Sequence, residues 1–223
     1  MKIQWGFVFL FFFSVSVFGA DPEIKFGKIT QEELEMKRYE RDTTASAVVL
    51  YEELDIRYEY DSQLSTFRVV NQYFVRIKIL TNEGLSQADQ SVSRYVGSSN
   101  LRSERISDLS GFTYNWEDGK IEKIKLSKEH IFEEKTSENV SRTKFAFQSV
   151  KPGSIIEYRY ELSSPFYWDL KDYYFQRSIP VCYSKYTLHI PEYFHFSKEA
   201  KGMEPVSSKL TQKNQMLFIK NER

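Results

Sequence analysis

One cysteine and three histidines are the residues of this chain best suited to nucleophilic or metal chemistry. A thiol nucleophile needs a histidine within hydrogen-bond distance, and the closest such pair in the sequence is Cys182 and His189. Seven positions separate them within residues 181–190, a segment with a strand pattern, so we expect their side chains on opposite faces. The sequence therefore predicts that Cys182 is a small core residue and not a catalytic nucleophile.

Motifs for a metal or a cofactor are absent from the sequence. His130, His189 and His195 form neither a His-x-His nor a His-x-x-x-His pair. The nine glycines are scattered singly, so the chain has no glycine-rich phosphate loop. The Gly-x-Ser-x-Gly pattern of a serine hydrolase is also missing. We expect no metal ion and no cofactor.

Adjacent carboxylate pairs remain as candidates for acid–base chemistry, among them Glu52-Glu53, Glu117-Asp118 and Glu133-Glu134. A glycosidase needs two carboxyl groups that face each other across a cleft. Neighbouring residues on a strand point to opposite faces, so these pairs are expected to be solvated surfaces and turn caps. The sequence thus predicts no catalytic centre, and we expect this chain not to be an enzyme on its own.

Residues 165–175 hold six aromatic side chains with charges between them. Such a cluster is typical of a stacking platform for a sugar or a peptide, and its candidate ligand contacts are Trp168, Tyr173 and Tyr174. The alternative is a loop that folds back and seals one end of the fold. We favour the sealing loop as the interpretation of the segment and keep the three residues as the candidate binding site.

The overall composition excludes several classes of protein. The 223 residues include 31 basic and 31 acidic side chains, and 41% of all residues are hydrophobic. This is too apolar for an intrinsically disordered chain, and the zero net charge gives no field for nucleic-acid binding. A single cysteine cannot form an intrachain disulfide.

Residues 1–19 have the pattern of a secretory signal peptide. Lys2 provides the positive charge at the N-terminal end of the peptide, and the apolar run of residues 3–18 is short for a membrane span. Cleavage after Gly19 places Val17 at the −3 position, where a small side chain is accepted. An uncleaved anchor is the alternative. We predict an exported protein that meets the membrane only through this peptide during export.

A helical lead-in over residues 20–44 is predicted to precede a β domain over residues 45–223. Thr30 and Glu33 form a capping box, and the helix is predicted to run to about Arg41. In residues 66–81 most odd positions are apolar and several even positions are polar or charged, which predicts a strand with one face in the core and the other in water. Residues 127–139 are predicted to be a short helix or a loop. Further strands are predicted at 47–60, 88–95, 112–126 (a hairpin around Asp118-Gly119), 155–160, 173–176, 181–190 and 216–219.

These elements predict an all-β fold, a mostly antiparallel β-sandwich with one short N-terminal helix after the signal peptide. The sequence lacks the alternation of strands and helices that would indicate a parallel α/β sheet. Residues 214–223 resemble the start of further sheet, so two interpretations stay open: the chain is the front of a longer protein, with the domain cut short there, or it is a stand-alone copy of the module.

The segment 144–186 resembles one protein family. The residues that carry the likeness are Phe145, Phe147, Val150-Lys151-Pro152-Gly153-Ser154-Ile155-Ile156-Glu157-Tyr158-Arg159-Tyr160, Ser164-Pro165, Phe175-Gln176, Ile179-Pro180-Val181, Ser184 and Tyr186, and upstream Glu33-Leu34, Tyr39, Asp42, Ala45 and residues 47–51. The family is the domain of unknown function that lies N-terminal to a transglutaminase-like domain in secreted bacterial proteins. The likeness spans most of residues 28–200, and its motifs are structural.

This resemblance implies a β-sandwich in the periplasm or outer envelope of a Gram-negative bacterium. In such proteins the Cys-His-Asp centre belongs to the downstream transglutaminase-like domain, and nothing in this sequence matches that centre. The resemblance therefore implies a non-catalytic accessory or interaction module whose partner is a transglutaminase-like domain, in cis or on another chain. The alternative is a carbohydrate- or peptide-binding module that uses the aromatic cluster of residues 168–175.

Overall fold

The computed structural model describes residues 24–192, 194–197, 199, 207–211 and 216–222. The signal peptide predicted for residues 1–19 lies outside these residues. The described residues form eleven strands, one α-helix and three short 3-10 helices. Their bounds are α1 Gln31–Glu35, β1 Ala47–Asp61, β2 Thr66–Ile79, a 3-10 helix at Glu83–Ala88, β3 Asp89–Tyr95, a second at Asn100–Arg102, β4 Arg105–Glu117, β5 Lys120–Lys125, a third at Lys128–His130, β6 Ile131–Ser137, β7 Val140–Ala146, β8 Ile155–Ser164, β9 Tyr183–His189, β10 Ser207–Thr211 and β11 Met216–Glu222.

The strands form two sheets, which confirms the predicted all-β, mostly antiparallel fold. The larger sheet has the order β10-β11-β9-β1-β2-β8-β4-β5, and the smaller has the order β3-β7-β6. All neighbours are antiparallel except β1 and β9, which run parallel. Strand β1 therefore lies inside the larger sheet, between β2 and β9.

The main core fills the space between the two sheets. It is built from alternate side chains of β1, β2 and β8, which share one face of the larger sheet, and from residues of β3, β7 and the loops that face them. Its buried members are Ala47, Val49, Val75, Ile77, Ile79, Val92, Leu126, Phe145, Phe147, Ile156, Tyr158 and Val181. The apolar odd-numbered positions of β2 from Phe67 to Ile79 were predicted to face a core. Val75, Ile77 and Ile79 lie in this core, Tyr73 packs against it, and Val69 is buried in a neighbouring cluster.

The opposite face of the larger sheet is also covered, so the prediction that it faces water is wrong. Arg76 and Lys78 on the even positions of β2 are 2% and 0% exposed. The residues before β1, here called the N-terminal segment (residues 24–36), lie over this face. The ring of Phe26 in that segment lies 5.6 Å from the ring of Phe74 and 5.4 Å from that of Phe112.

Helix α1 has the predicted capping box but only five residues. The Thr30 Oγ1 atom accepts a bond from the Glu33 amide at 3.2 Å, and the Glu33 carboxylate accepts one from the Thr30 amide at 2.7 Å. The helix ends at Glu35 and not near Arg41, because Leu34 is its single buried side chain and the Leu34 carbonyl is taken by the Lys78 ammonium at 2.5 Å. So short an apolar face cannot stabilise a longer helix by packing.

Two further predictions of local structure are wrong. The charged residues 131–137 form β6, an edge strand of the smaller sheet, where exposed charged side chains are favourable. Residues 173–176 were predicted as a strand and form none; the side chains of Tyr173 and Phe175 instead pack against the buried cluster that includes Tyr186 and Leu188. The predicted turns are present. Asp118 and Gly119 have φ of 47° and 76° in the β4–β5 hairpin, and Gly153 has φ of 94° before β8.

No helix among the described residues is both long enough and apolar enough to span a lipid bilayer.

Candidate functional site

A cavity of about 340 Å³ lies between the larger sheet and the loop that follows β8. We call that loop, residues 165–177, the aromatic loop. The volume is at the lower end of the range for small-molecule sites. The lining residues are Leu54, Val69, Asn71, Tyr73, Glu104, Tyr160, Leu162, Ser164, Asp169, Leu170, Lys171, Asp172, Tyr173, Tyr174 and Arg177.

The sheet side of the cavity is an apolar wall made by one face of β1, β2 and β8. Strand register places Leu54 opposite Tyr73, and Tyr73 opposite Tyr160. The rings of Tyr73 and Tyr160 stack with centroids 5.3 Å apart and planes 11° apart. Leu162 is 8% exposed and Val69 is 2% exposed. Because side chains alternate along a strand, these residues share a face without being close in sequence.

The floor of the cavity holds a buried ion pair. Arg177 donates from Nε to Glu52 Oε2 at 2.9 Å and from Nη2 to Glu52 Oε1. The Tyr73 hydroxyl also donates to Glu52 Oε1 at 2.5 Å. Glu52 is fully buried, whereas the Arg177 side chain is 30% exposed and lines the cavity. Glu52 was predicted to be solvated, and this is wrong because it points inward from β1 in phase with Leu54.

Burial and charge both act on the titration of these groups. Burial disfavours the charged form of Arg177, but the hydrogen bonds that Arg177 donates to Glu52, together with the negative charge of Glu52, raise the pKa of Arg177 above the ordinary value. Burial, and next the Glu52 carboxylate, raise the pKa of Tyr73. Burial also raises the pKa of Tyr160. The Arg177 guanidinium therefore stays charged at neutral pH, and the Tyr73 and Tyr160 phenols beside it stay neutral.

The aromatic loop forms the outer wall. The hydroxyl groups of Tyr173 and Ser184 lie 2.6 Å apart, and the Tyr173 ring contacts Phe175 edge-on at 4.7 Å and Tyr186 at 5.3 Å. Tyr173 is thus a fixed part of the wall, as the sealing-loop interpretation predicts. Tyr174 is 72% exposed at the rim.

Trp168, the third residue of the predicted binding site, does not line the cavity. Its ring is 64% exposed and meets Tyr167 at 4.9 Å and Phe166 at 6.0 Å, both edge-on. The Tyr58 hydroxyl donates to the Tyr167 carbonyl at 3.0 Å, which holds this part of the loop on the sheet. The structure brings Tyr173 and Tyr174 together at one cavity and leaves Trp168 outside it.

Charged side chains surround the mouth of the cavity. Glu104 is 2% exposed, accepts from the Tyr95 amide at 2.7 Å and pairs with the exposed Lys171 at 3.2 Å. Asp169 and Asp172 are exposed residues of the aromatic loop and have no ion-pair partner within the described part of the chain. Glu104 and Lys171 tie the loop to the residues before β4.

The structure also places the other residues that were candidates for chemistry. His189 Nε2 lies 2.9 Å from an Asp55 oxygen, whereas Cys182 bonds to Tyr39 and packs on the Val48 side of the sheet. Burial raises the pKa of the Cys182 thiol. Within residues 24–192 and the described positions that follow, no three His, Cys, Asp or Glu side chains are close enough to hold a metal ion.

Four of the remaining five carboxylates of the three pairs, all except Asp118, form ion pairs among the described residues. Glu53 accepts from the Tyr51 hydroxyl and the Lys185 ammonium, both at 2.7 Å. Glu117 and Asp118 lie at the β4–β5 turn, as expected. Glu133 and Glu134 are half-exposed and pair with Arg94 and Lys144 across strands.

Sequence reasoning missed the floor of the cavity. Glu52, Tyr73 and Arg177 are up to 125 positions apart, so no local spacing indicates that they meet. One signal was available: Glu52 is in phase with Leu54 and Ile56, which both face inward. A carboxylate on the core side of a strand needs a cationic partner, which would have pointed to an arginine elsewhere.

A family model of domains of unknown function, DUF3857, which includes a domain of solved structure, matches residues 65–218. The chain belongs to this family. The family that the sequence resembles is thereby confirmed. No curated protein matches this DUF3857 chain in sequence.

Solved structures with a similar fold exist for longer proteins. A crystal structure from Parabacteroides distasonis, provisionally described as a protease, has a TM-score of 0.56 and 13% identity. The match covers 78% of this chain and 34% of that chain, so this DUF3857 chain spans about a third of its length. At this identity the likeness shows the fold alone. Yeast LTA4 hydrolase in complex with bestatin has a TM-score of 0.36 and 10% identity over 78% of this chain and 26% of its own, too low to support an argument.

Proposed function

We propose that this DUF3857 domain is a non-catalytic module that serves as the accessory domain of a transglutaminase-like, cysteine-protease-like domain. The observation that carries the proposal is the share of the Parabacteroides protein that is matched: about two thirds of that protein, provisionally described as a protease, lies outside the common fold. The common fold would then dock against the catalytic part or present substrate to it. The partner domain is in cis or on a second chain.

The chemistry of this chain supports a non-catalytic role. A thiolate is the reactive form of cysteine, and burial raises the pKa of Cys182. The bond from Tyr39 and the packing of Cys182 against the buried cluster that includes Val48 and Leu50 are typical of a core residue. The imidazole of His189 is engaged with Asp55. We further propose export to the periplasm or outer envelope of a Gram-negative bacterium, which the apolar residues 3–18 support.

The native mass of the protein in its source cells tests the proposal. Antibodies against the β domain would isolate the native species for intact-mass and peptide analysis. We expect either a chain much longer than 223 residues or a complex, with a thiol-reactive probe labelling a cysteine other than Cys182. Labelling of Cys182 in the folded protein, or peptidase activity of the isolated chain that Cys182→Ser abolishes, would contradict a non-catalytic role.

We propose ligand binding in the cavity as a second function, compatible with the first. The observation that favours it is the built site itself: an apolar wall, a fixed ion pair on the floor and an exposed tyrosine at the rim. Cavities with apolar walls and a few convergent polar groups are the usual form of binding sites. Tyr173→Phe and Tyr174→Ala test it by ligand pull-down, provided that the melting temperature is unchanged.

A further inference from the structure

The shape of the cavity fits an apolar side chain better than a flat sugar ring. The wall formed by Leu54, Val69 and Leu162 is aliphatic, and Leu170 adds to it from the aromatic loop. The rings of Tyr73 and Tyr160 stack on each other, so one face of each ring is already covered. A ligand that covers this aliphatic wall gains free energy because apolar surface is removed from water.

The arrangement of aromatic side chains argues against a carbohydrate platform. Trp168 lies outside the cavity, and Tyr173 is held edge-on by Phe175 and tied to Ser184. Only Tyr174 presents an exposed ring at the rim, among the residues that line the cavity. One exposed ring is enough for a cation–π contact with a single basic group.

The charges that remain unpaired at the rim of the cavity are negative. Glu52 is neutralised by Arg177 on the floor, and Glu104 is neutralised by Lys171. Asp169 and Asp172 remain without a cationic partner among the described residues. A ligand that brings positive charge to this rim gains attraction there, whereas an acidic ligand is repelled.

We propose that this cavity binds the apolar side chain of a basic peptide segment. The apolar side chain enters between the aliphatic wall and Tyr173, and lysine or arginine residues next to it in the peptide lie against Asp169, Asp172 and the Tyr174 ring. The partner is therefore a basic polypeptide or a basic segment of a longer chain. This inference rests on the second proposal, that the cavity is a ligand site, and not on the accessory role.

Three synthetic peptides test the proposal by titration calorimetry with the chain lacking residues 1–19. The probe is acetyl-Gly-Lys-Phe-Lys-Gly-amide. The second peptide replaces both lysines with glutamate, and the third replaces phenylalanine with alanine. We expect the probe to bind about tenfold more tightly than the glutamate peptide, because rim charges select the partner. We expect the alanine peptide to bind about tenfold or more weakly than the probe, because it lacks the one aromatic side chain that the cavity would bury.

Variants at exposed positions locate the binding without disturbing the fold. The double variant Asp169→Asn, Asp172→Asn is expected to lower the affinity for the probe about fivefold. Its affinity for the glutamate peptide is expected not to fall. Tyr174→Ala is expected to lower the affinity for the probe about threefold. The matched controls are Glu122→Gln on β5 and Tyr60→Ala on β1, both exposed and outside the cavity, which are expected to change nothing.

Circular dichroism melting of each variant separates loss of binding from loss of fold. Equal affinity for the lysine and glutamate peptides would overturn the proposal, as would binding that survives both the rim variants and Tyr174→Ala. Binding of chitohexaose in place of the peptides, with the same dependence on Tyr174, would replace it with a carbohydrate site. The native-mass experiment is independent of these titrations, so failure of one leaves the other interpretable.

Discussion

The two faces of the larger sheet each carry a buried arginine–glutamate pair, and the pairs differ in how they are covered. Arg76 and Glu157 are 2% and 0% exposed beneath the N-terminal segment. Glu52 is equally buried, but its partner Arg177 is 30% exposed and lines a cavity. The same two functional groups thus form a closed contact on one face and the floor of an open site on the other.

The closed pair is fully hydrogen-bonded by residues around it. Arg76 Nη2 donates to the carbonyl of Lys28 at 2.6 Å, and its Nη1 atom donates to Glu33 at 2.7 Å. Glu157 accepts from the Tyr114 hydroxyl at 2.5 Å and from the Gly27 amide at 2.6 Å. Such saturation leaves no polar atom for a ligand. The covering segment, and not the ion pair, therefore decides whether a buried charge in this sheet is structural or accessible to a ligand.

The largest effect is expected from breaking the closed pair. Arg76→Met leaves the Glu157 carboxylate buried without its cation and removes the bonds to the N-terminal segment. We expect the free energy of unfolding to fall by about 3–5 kcal/mol, measured by urea denaturation followed by circular dichroism. Arg38→Met, at a side chain that is 65% exposed, is the matched control and is expected to have little effect. A cost below about 1 kcal/mol for Arg76→Met would show that water reaches Glu157.

A smaller effect is expected from the open pair. Arg177→Met leaves Glu52 with the Tyr73 hydroxyl as a donor and with the cavity as a route for water. We expect a loss of about 1–3 kcal/mol in the same denaturation experiment. If the loss equals that of Arg76→Met, the difference between the two faces disappears, because Glu52 would then be as isolated from solvent as Glu157.

Gly153 lies on the closed face, and its replacement is expected to have a smaller effect on stability than the loss of either ion pair. Its φ is 94°, and its carbonyl accepts from the Lys78 ammonium at 2.6 Å. Gly153→Val forces a branched residue into this conformation, so we expect a loss of about 1–2 kcal/mol in the free energy of unfolding. A Cβ atom at this position would meet no atom within 4 Å, so the cost is one of backbone strain. An unchanged urea midpoint would contradict that account.

The smallest effect is a pH dependence that comes from Lys78. Burial lowers the pKa of Lys78 to about 8, and the Glu33 carboxylate acts in the opposite direction. Between pH 8 and the ordinary value of 10.5 the unfolded chain binds more protons than the folded chain, so stability increases with pH in this window. We expect a gain of about 1 kcal/mol from about pH 8 to 9.5, relative to Lys78→Met.

The exposed Lys151 provides the control for this titration. Lys151→Met keeps Lys78, so its stability is expected to follow the pH dependence of the unmodified chain. If Lys78→Met shows the same rise between pH 8 and 9.5, another group is responsible.

Much of the fold could be predicted from local sequence. The alternation in β2 and β8 and the Asp118-Gly119 turn are properties of neighbouring residues, and the structure contains all of them. The burial of Arg76 and Lys78 could not be predicted, because the segment that covers them lies 43 or more positions away. Alternation indicates which residues share a face, but it does not indicate whether another part of the chain lies over that face.

The candidate site shows the same limit. Tyr173 and Tyr174 could be predicted from the aromatic content of one segment, and they do line the cavity. Trp168 belongs to the same segment, yet it packs on Tyr167 outside the cavity. Glu52 and Arg177 meet only because the sheet brings residues 125 positions apart together. A composition signal located the loop, but only the tertiary fold determines which of its side chains face inward.

The parallel pairing of β1 with β9 also sets an order for folding. Strand β2, one partner of β1, follows β1 directly in the sequence. The other partner is β9, whose residue Lys185 contacts Glu53 from 132 positions downstream. Pairings of such long range form slowly, because a large loop must close first. As the chain emerges, one edge of β1 therefore stays unpaired until residues 183–189 arrive. A product that stops before them would expose an apolar strand edge, which is a template for aggregation.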